Sequence, residues 1–328
     1  MLDQRLQGCS RRGYRVNRVR DSARWLQSKG MIQNLYLGRV GYEEGLRLQG
    51  EIAALVGAGR LQNTLLLLEH PSVLTLGRNA SRDNILASDE LLARRGVTIH
   101  EINRGGDVTY HGPGQLIGYP IFDLRTLRNP NGPRMGPVDF VRGMEEALIR
   151  VCRTYGVRAG RVAGLTGVWC GETGFRVQGS GVSPSATGDL SGQGPNAGPE
   201  RKIAAIGIHV ARGITSHGFA FNLTTDLRDF GLIVPCGIPD HPVTSLEVER
   251  SRAGLRSAEL PTLEVLAHEA ARQFGFVFNE QTLAVERLEA LRSLASASAA
   301  EFPAEDTPLQ IPEEVARLRG VPDPPRRA

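Results

Sequence analysis

One cysteine of this 328-residue chain has a setting suited to nucleophilic chemistry. Cys236 lies between Pro235 and Gly237, which interrupt a strand and predict a loop on which the thiol can be reached. A free thiol has a pKa near ~8.5, so little of it is thiolate at neutral pH. A nucleophilic role for Cys236 therefore requires a basic partner, and the chain carries no Cys-His-Asn protease signature that supplies one.

The use of lysine in the chain points to that partner. The chain has 39 basic residues, and only two of them, Lys29 and Lys202, are lysines. An amine can release its proton whereas a guanidinium stays charged, so a lysine kept at position 202 indicates chemistry that arginine cannot perform. Lys202 opens an apolar run, KIAAIGIHV, which predicts a partly desolvated amine. An amine and a thiol in contact share one proton and titrate as a pair. The alternative is an ordinary surface lysine.

A glycine-rich stretch, Arg104–Gly114, has the composition of a ligand-binding segment. A predicted strand, Val97–Asn103, leads into it, and a second predicted strand starts at Gln115. Its glycines let the backbone take positive φ and approach a ligand closely. Among them stand a cation, an anion, two hydroxyl groups and an imidazole, supplied by Arg104, Asp107, Thr109, Tyr110 and His111. The other interpretation is a glycine-rich hairpin with a hydrogen-bonded histidine.

Three sequence blocks together resemble one enzyme family. They are RGGDVTYHGPGQ from Arg104, KIAAIGIHVARGITSHGFA from Lys202 and GLIVPCGI from Gly231. In this order they resemble the octanoyltransferases of lipoate synthesis, also called lipoate–protein ligase B, and the likeness runs from about Met31 to about Phe278. The resemblance implies the biotin/lipoate ligase-type fold of the α/β (α+β) class, with a mixed, largely antiparallel sheet packed with helices.

The resemblance also implies residue roles. Cys236 is expected to carry the acyl group as a thioester, and Lys202 to lower the pKa of that thiol and act as general base. The acyl-binding positions of the family fall on Arg104, Gly105, Gly106, Asp107, Val108, Thr109, Tyr110, His111, Ala205, Ile206, Gly207, Gly218, Phe219 and Ala220. No metal ligand is implied. His217, beside Gly218, is predicted to line the same pocket, and His209 to be structural.

The implied reaction transfers an octanoyl group from octanoyl-acyl carrier protein to a lysine of a lipoyl domain. The acceptors are the lipoyl domains of 2-oxo acid dehydrogenase complexes and the glycine cleavage H protein. No cofactor or ATP is expected, because the acyl group arrives on the phosphopantetheine of the carrier. Two other functions stay open. An ATP-dependent lipoate or biotin ligase on the same fold activates its acid as an adenylate and needs no thiol. A non-catalytic acyl- or lipoyl-domain-binding protein leaves Lys202 unexplained.

Hydrophobic periodicity predicts the main elements of the chain. We expect helices at Tyr42–Gly57, Pro137–Gly156 and Thr262–Gly275. We expect strands from Met31 and at Thr64–Glu69, Ser72–Gly77, Val157–Val162, Gly167–Cys170, Lys202–Val210 and Ile214–Leu223. The run Thr64–Glu69 (TLLLLE) is typical of a strand buried on both faces, and the last two strands are predicted to be antiparallel. Cys152 is predicted to be core filler, and Cys170 is a weak candidate for chemistry.

Composition bounds the domain organisation. Residues 1–30 carry a net charge of +6, which leaves −2 for residues 31–328 in a chain of net +4. The predicted folded part is therefore not basic, and a nucleic-acid surface loses its main electrostatic support. We interpret 1–30 as a disordered basic extension or an over-long start, with an organelle transit peptide as the rival. A catalytic domain is predicted at 31–280, with a flexible insert at 174–199 and an Ala/Glu/Pro-rich tail at 281–328. No apolar run is long enough for a membrane helix, and four cysteines without C-x-x-C spacing fit a cytoplasmic protein.

Overall fold

The computed structural model describes residues 30–129, 132–171, 199–235, 241–255 and 260–300. The strands are β1 Met31–Arg39, β2 Asn63–Glu69, β3 Val73–Leu76, β4 Thr98–Glu101, β5 Val108–His111, β6 Gln115–Ile121, β7 Ala159–Val162, β8 Leu165–Cys170, β9 Arg201–Ala211, β10 Ile214–Asn222 and β11 Gln281–Ala284. The α-helices are α1 Tyr42–Gly57, α2 Asp89–Arg94, α3 Pro137–Thr154, α4 Leu246–Arg252, α5 Leu263–Phe278 and α6 Leu288–Ala300. Short 3₁₀ helices lie at Arg82–Asn84 and Leu227–Leu232.

Two sheets organise these elements. The main sheet has eight strands in the order β11-β1-β2-β6-β10-β9-β8-β7, and a second sheet has the order β4-β3-β5. In the main sheet β11, β1 and β2 run parallel to one another, and every further pairing, from β2–β6 to β8–β7, is antiparallel. The prediction of a mixed, largely antiparallel sheet packed with helices is therefore confirmed.

Strand β2 is an interior strand of the main sheet that is buried on both faces, as its continuous apolar run predicts. Its leucines alternate between two cores because successive side chains of a strand point to opposite faces. Leu65 and Leu67 belong to the core that includes residues of α3 and α5. Leu66 and Leu68 belong to the core on the other face, with residues of α1 and α6. The main sheet is thus covered by helices on both faces.

Helix α3 begins with Pro137, whose missing N–H costs nothing in a first turn. The Asp139 carboxylate accepts a hydrogen bond of 3.0 Å from the Gly136 N–H just before it. Met144 and Leu148 are buried against the sheet, and full burial of such a side chain contributes roughly 1.5–3 kcal/mol. Cys152 is wholly buried in this core, which confirms its interpretation as core filler.

The structure contains elements that the sequence analysis did not predict. Val108–His111, part of the predicted glycine-rich stretch, forms β5 of the small sheet. The tail predicted from residue 281 begins too early, because Gln281–Ala284 pairs with β1 and α6 follows it. Leu291 and Ala295 of α6 are buried in the core on the α1 side. Their spacing is helical, but the Ala- and Ser-rich composition obscured it.

Several predicted features lie outside the described residues. They are the basic extension 1–29, the insert as far as residue 198, Cys236 and the tail from residue 301. Among the residues that are described, no helix is both long enough and apolar enough to cross a membrane.

Candidate active site

A cavity of about 240 Å³ lies on the face of the main sheet that packs against α1. Its floor comes from β6, β9 and β10, and the segment that joins β4 to β5 lies against it. The predicted residues that line it are Arg104, Gly105, Gly106, Asp107, Thr109, His111, Lys202, Ala205, Ile206, Gly207, Gly218, Phe219 and Ala220. His217 also lines the cavity, as its position beside Gly218 predicts. Two of the three sequence blocks, which are far apart along the chain, therefore meet at one site.

Two residues of the predicted acyl-binding stretch do not line this cavity. Val108 and Tyr110 belong to the apolar cluster of the small sheet, on the other side of β5. The reason is the two-residue period of a strand, which turns Thr109 and His111 toward the cavity and their neighbours away from it. The Tyr110 hydroxyl instead donates a 2.8 Å hydrogen bond to the Asp229 carboxylate. Burial raises the pKa of Tyr110 and favours this neutral donor.

Arg104 clamps the glycine-rich segment against its neighbours. Its Nη2 donates to the backbone and side-chain oxygens of Thr75, each at 2.9 Å, and its Nη1 donates to Gly105 O at 3.0 Å. The Gly105 N–H also donates to Ile208 O of β9 at 3.1 Å. A Cβ atom on Gly207 would lie 2.8 Å from Gly105 O, so this close approach requires a glycine in β9. The guanidinium thus shapes the cavity wall.

Lys202 is buried where the cavity meets a smaller crevice, with only 7% of its surface exposed. Pro235 and Val243 line the same crevice as Lys202. The Lys202 N–H donates to Pro242 O at 2.8 Å, and Lys202 O accepts from the Thr244 N–H at 2.9 Å. The residues before and after segment 236–240 therefore both lie at Lys202, whereas Cys236 itself is not described.

The histidines of the cavity are neutral at pH 7. Burial is the main cause that lowers the pKa of His111 to about 3 and that of His217 to about 4, and the Arg104 cation adds to both shifts. Nδ1 of His111 lies 2.8 Å from Gln115 Oε1, and Nε2 of His217 lies 2.7 Å from Asn103 Oδ1. Amide oxygens only accept hydrogen bonds, so the proton of His111 is on Nδ1 and that of His217 is on Nε2.

The structure adds lining residues that the sequence analysis missed. They are Tyr42 from α1, Ile102, Ile117 and Tyr119 from β6, and Gly164, Leu165 and Thr166 around the start of β8. His70 lies behind Tyr119. Its Nδ1 donates to Val40 O at 2.6 Å, so its Nε2 accepts from the Tyr119 hydroxyl at 2.7 Å. For these lining residues, the sequence carries one signal: Ile117 and Tyr119 are two residues apart in a predicted strand, which places them on the same face.

The two cysteines that the structure describes are unsuited to nucleophilic attack. Cys152 and Cys170 are both buried, and burial raises the pKa of each thiol above its ordinary value. The weak candidacy of Cys170 thus finds no support in its surroundings. Within the described part of the chain, no group of three or more His, Cys, Asp or Glu residues is placed to hold a metal ion.

Comparison with solved structures identifies the fold. A crystal structure of lipoate-protein ligase A bound with ATP superposes with a TM-score of 0.52 at 15% identity, covering 82% of this chain and 94% of that one. A chain from the structural study of a bi-partite lipoate protein ligase and its E2 lipoyl domain from Thermoplasma acidophilum gives 0.51 at 16% identity, covering 81% and 91%. At such identities the likeness establishes the fold alone.

Comparison with curated sequences identifies the family. Residues 41–260 match the lipoyl protein ligase A/B catalytic domain. An octanoyltransferase from Acidobacterium capsulatum is 55% identical over 258 residues, which is 78% of this chain and 94% of the relative. An octanoyltransferase from Koribacter versatilis is 46% identical over 288 residues, or 88% and 97%. The chain therefore belongs to the lipoyl protein ligase A/B catalytic domain family and is an acyltransferase within it.

Proposed function

We propose that the protein is an octanoyltransferase of lipoate biosynthesis that moves an octanoyl group through a thioester on Cys236. The donor is octanoyl-acyl carrier protein, and the acceptor is a lysine of a lipoyl domain, in 2-oxo acid dehydrogenase complexes or the glycine cleavage H protein. The reaction takes place in the cytoplasm, without a cofactor and without a nucleic-acid or membrane partner. The octanoyltransferase relatives and the matched catalytic domain support this activity.

The character of the cavity supports an acyl substrate. Its volume of about 240 Å³ lies below the roughly 300–1,000 Å³ of pockets for drug-sized ligands, so a short chain suits it better. Ile117, Phe219 and Ala220 give it apolar walls, and its neutral histidines add no charge. We assign acyl binding to the predicted positions that line the cavity, and we leave out Val108 and Tyr110, which pack elsewhere.

The observation that carries the mechanism is the burial of Lys202 in the crevice that Pro235 and Val243 also line, at the edge of the cavity. These residues flank segment 236–240, so the chain on either side of Cys236 lies at the lysine. An ammonium beside a thiol favours the thiolate, which is the reactive form. We therefore assign Cys236 as the nucleophile and Lys202 as the group that lowers the pKa of its thiol and later acts as general base.

The proton balance gives Lys202 a part in both half-reactions. The Cys236 thiolate attacks the octanoyl thioester, the carbon–sulfur bond to the carrier breaks, and the departing carrier thiolate takes the proton of the Lys202 ammonium. The amine of the acceptor lysine then attacks the acyl group on Cys236. Its surplus proton passes to the Lys202 amine, and the Cys236 thiolate leaves. Each new bond is made from a thioester, so no ATP is consumed.

Intact mass spectrometry after mixing with octanoyl-acyl carrier protein, without ATP, tests the proposal. We expect one octanoyl adduct that hydroxylamine removes, and peptide mapping should locate it on Cys236. Cys236→Ser should lose the thioester adduct and turnover, whereas the matched controls Cys152→Ala and Cys170→Ala should keep both. A normal adduct in Cys236→Ser would contradict the assignment.

The same assay separates the other candidate functions. A ligase would give no adduct from the carrier and would modify the lipoyl domain only with free octanoate and ATP. A protein that only binds acyl groups or lipoyl domains would give neither an adduct nor a modified domain.

A further inference from the structure

Trp169 has the largest side chain among those that are fully buried, yet it belongs to none of the three apolar clusters. Val168 and Cys170, its neighbours in β8, both lie in the main core. A tryptophan that only filled space would be expected among apolar side chains. Its indole N–H has no hydrogen-bond partner among the described residues, although a buried indole N–H usually has one. Packing alone therefore does not explain this residue.

Two of the contacts that the Trp169 ring makes are with ionisable side chains. The Nζ atom of Lys202 lies 4.6 Å from the centre of the indole ring, within the distance of a cation–π interaction. The His241 ring meets the indole edge-on, with 5.2 Å between the ring centres. Trp169 and Lys202 face each other across the β8–β9 pairing. The indole is thus placed against the amine to which we assign proton transfer.

The backbone beside Trp169 has a conformation that requires a glycine. The register of β8 on β9 shifts between Val168 and Trp169, and Gly167 has a φ of +128°, a conformation that other residues rarely adopt. A Cβ atom there would lie 2.6 Å from Ala204 O and 3.5 Å from Lys202 Cε. The Gly167 N–H is fixed by a 3.1 Å hydrogen bond to the buried Glu145 carboxylate of α3. The stem of Lys202 therefore passes beside bare backbone that α3 holds in place.

We propose that Trp169 is a positioning residue for Lys202, whose ammonium it holds against the indole face. The role of Lys202 in catalysis rests on the proposed function, but the contact does not. Tryptophan is the best aromatic partner for a cation, and the attraction strengthens where water is excluded. The indole favours the protonated lysine, which is the form that stabilises a thiolate. It also restrains the direction from which the amine can receive a proton.

The presence of only two lysines makes this contact directly measurable. Lysine labelled with ¹³C at Cε gives two NMR signals, and Lys29→Arg assigns them. In the unaltered full-length protein, we expect the ε-methylene protons of Lys202 to be shifted upfield by the indole ring current. Signals for Lys202 at the position of free lysine would overturn the proposal, whether or not any Trp169 variant folds.

Substitution of Trp169 gives a second test of the proposal. In Trp169→Leu, the upfield shift should vanish. Trp169→Phe, which keeps an aromatic face, should restore most of it. A role in packing alone would leave the Leu and Phe variants with the same pH profile of Cys236 alkylation, which would overturn the proposal.

Alkylation of Cys236 by iodoacetamide across pH links the contact to chemistry. The midpoint of the rate profile should move to higher pH in Trp169→Leu and return toward that of the wild type in Trp169→Phe. If the wild type forms its Cys236 adduct but neither variant alters the midpoint, the positioning role fails and the proposed function stands. If the wild type forms no adduct at Cys236 while the NMR contact persists, the proposed function fails and the positioning of Lys202 stands.

Discussion

Replacing Lys202 with arginine should separate the two half-reactions. Arginine keeps the positive charge and can stack on the Trp169 indole, so the thiolate of Cys236 stays stabilised and first acylation survives in part. A guanidinium does not give up its proton near neutral pH and so cannot accept one from the incoming amine. We therefore expect the acyl-enzyme to accumulate while amide formation slows by roughly 10²–10⁴-fold, the usual contribution of general acid–base catalysis.

Neither histidine of the cavity is suited to replace the lysine as the base. His217 pairs with Ile208, six residues along β9 from Lys202, which is roughly 20 Å at ~3.3 Å per residue. The pKa of His217 is lowered to about 4 and that of His111 to about 3, so both imidazoles are weak bases at pH 7. A base works best with a pKa near the working pH. The full loss, about 3–5 kcal/mol in activation free energy, is therefore expected.

Rapid-quench mass spectrometry measures the two steps separately. Octanoyl-acyl carrier protein alone gives the acylation rate, and addition of a lipoyl domain to the isolated acyl-enzyme gives the transfer rate. Lys202→Met, which lacks both the charge and the base, serves as the matched control and should slow both steps. If Lys202→Arg slows both steps equally, the lysine only supplies charge or position. Unchanged turnover would remove it from the mechanism.

Three further predictions concern the scaffold. Burial lowers the pKa of His70 and of His217 to about 4, below the ~6.5 of an unfolded histidine, so the unfolded chain binds these protons first as pH falls. The unfolding free energy should drop by about 2 kcal/mol per histidine between pH 7 and pH 5, and a flat profile in urea titrations would contradict this. Arg104→Lys should lower the unfolding free energy by ~1–3 kcal/mol because the fork to Thr75 is lost, whereas Arg95→Lys, at an exposed ion pair, should cost under ~1 kcal/mol. A chain that begins at Met31, the first residue of β1, should keep its turnover in the transfer assay, and a folded but inactive truncation would refute that.

The elements with a clear apolar period were predictable from sequence. Helix Tyr42–Gly57 has the predicted bounds, and helix α3 ends two residues before the predicted Gly156, at Thr154. Strand β5 was missed because its polar residues are buried by tertiary contacts, which no hydropathy pattern records: Thr109 is only 6% exposed although it faces a cavity. Helix α6 was missed because alanine and serine carry most of its length, and two residues, Leu291 and Ala295, provide its deepest contacts.

The residues of the site were predictable where they are neighbours in the sequence. They were not predictable where only the pairing of distant strands brings them together. The glycine-rich segment and the β9–β10 hairpin carried most of the cavity residues in recognisable blocks. Trp169 gave no sequence signal, because its relation to Lys202 depends on a register shift between β8 and β9. The outward turn of Val108 and Tyr110 depends likewise on whether the stretch is a strand or a loop.

Adjacent residues in β9 show why the chain keeps a lysine at 202 among so many arginines. Arg201 donates from Nε and Nη2 to the two oxygens of Glu249, at 2.8 and 3.0 Å, a two-pronged pair that suits a planar guanidinium. Lys202 instead contacts the face of the Trp169 indole and lines the cavity. Arginine stands at position 201, where two parallel hydrogen bonds to a carboxylate are made. Lysine stands at position 202, where the proposed reaction needs a side chain that can release a proton and accept it again. Exchanging the two, as Arg201→Lys with Lys202→Arg, should therefore damage structure at the first position and chemistry at the second. The single variants should show this by a fall in melting temperature for Arg201→Lys and by an accumulated acyl-enzyme for Lys202→Arg.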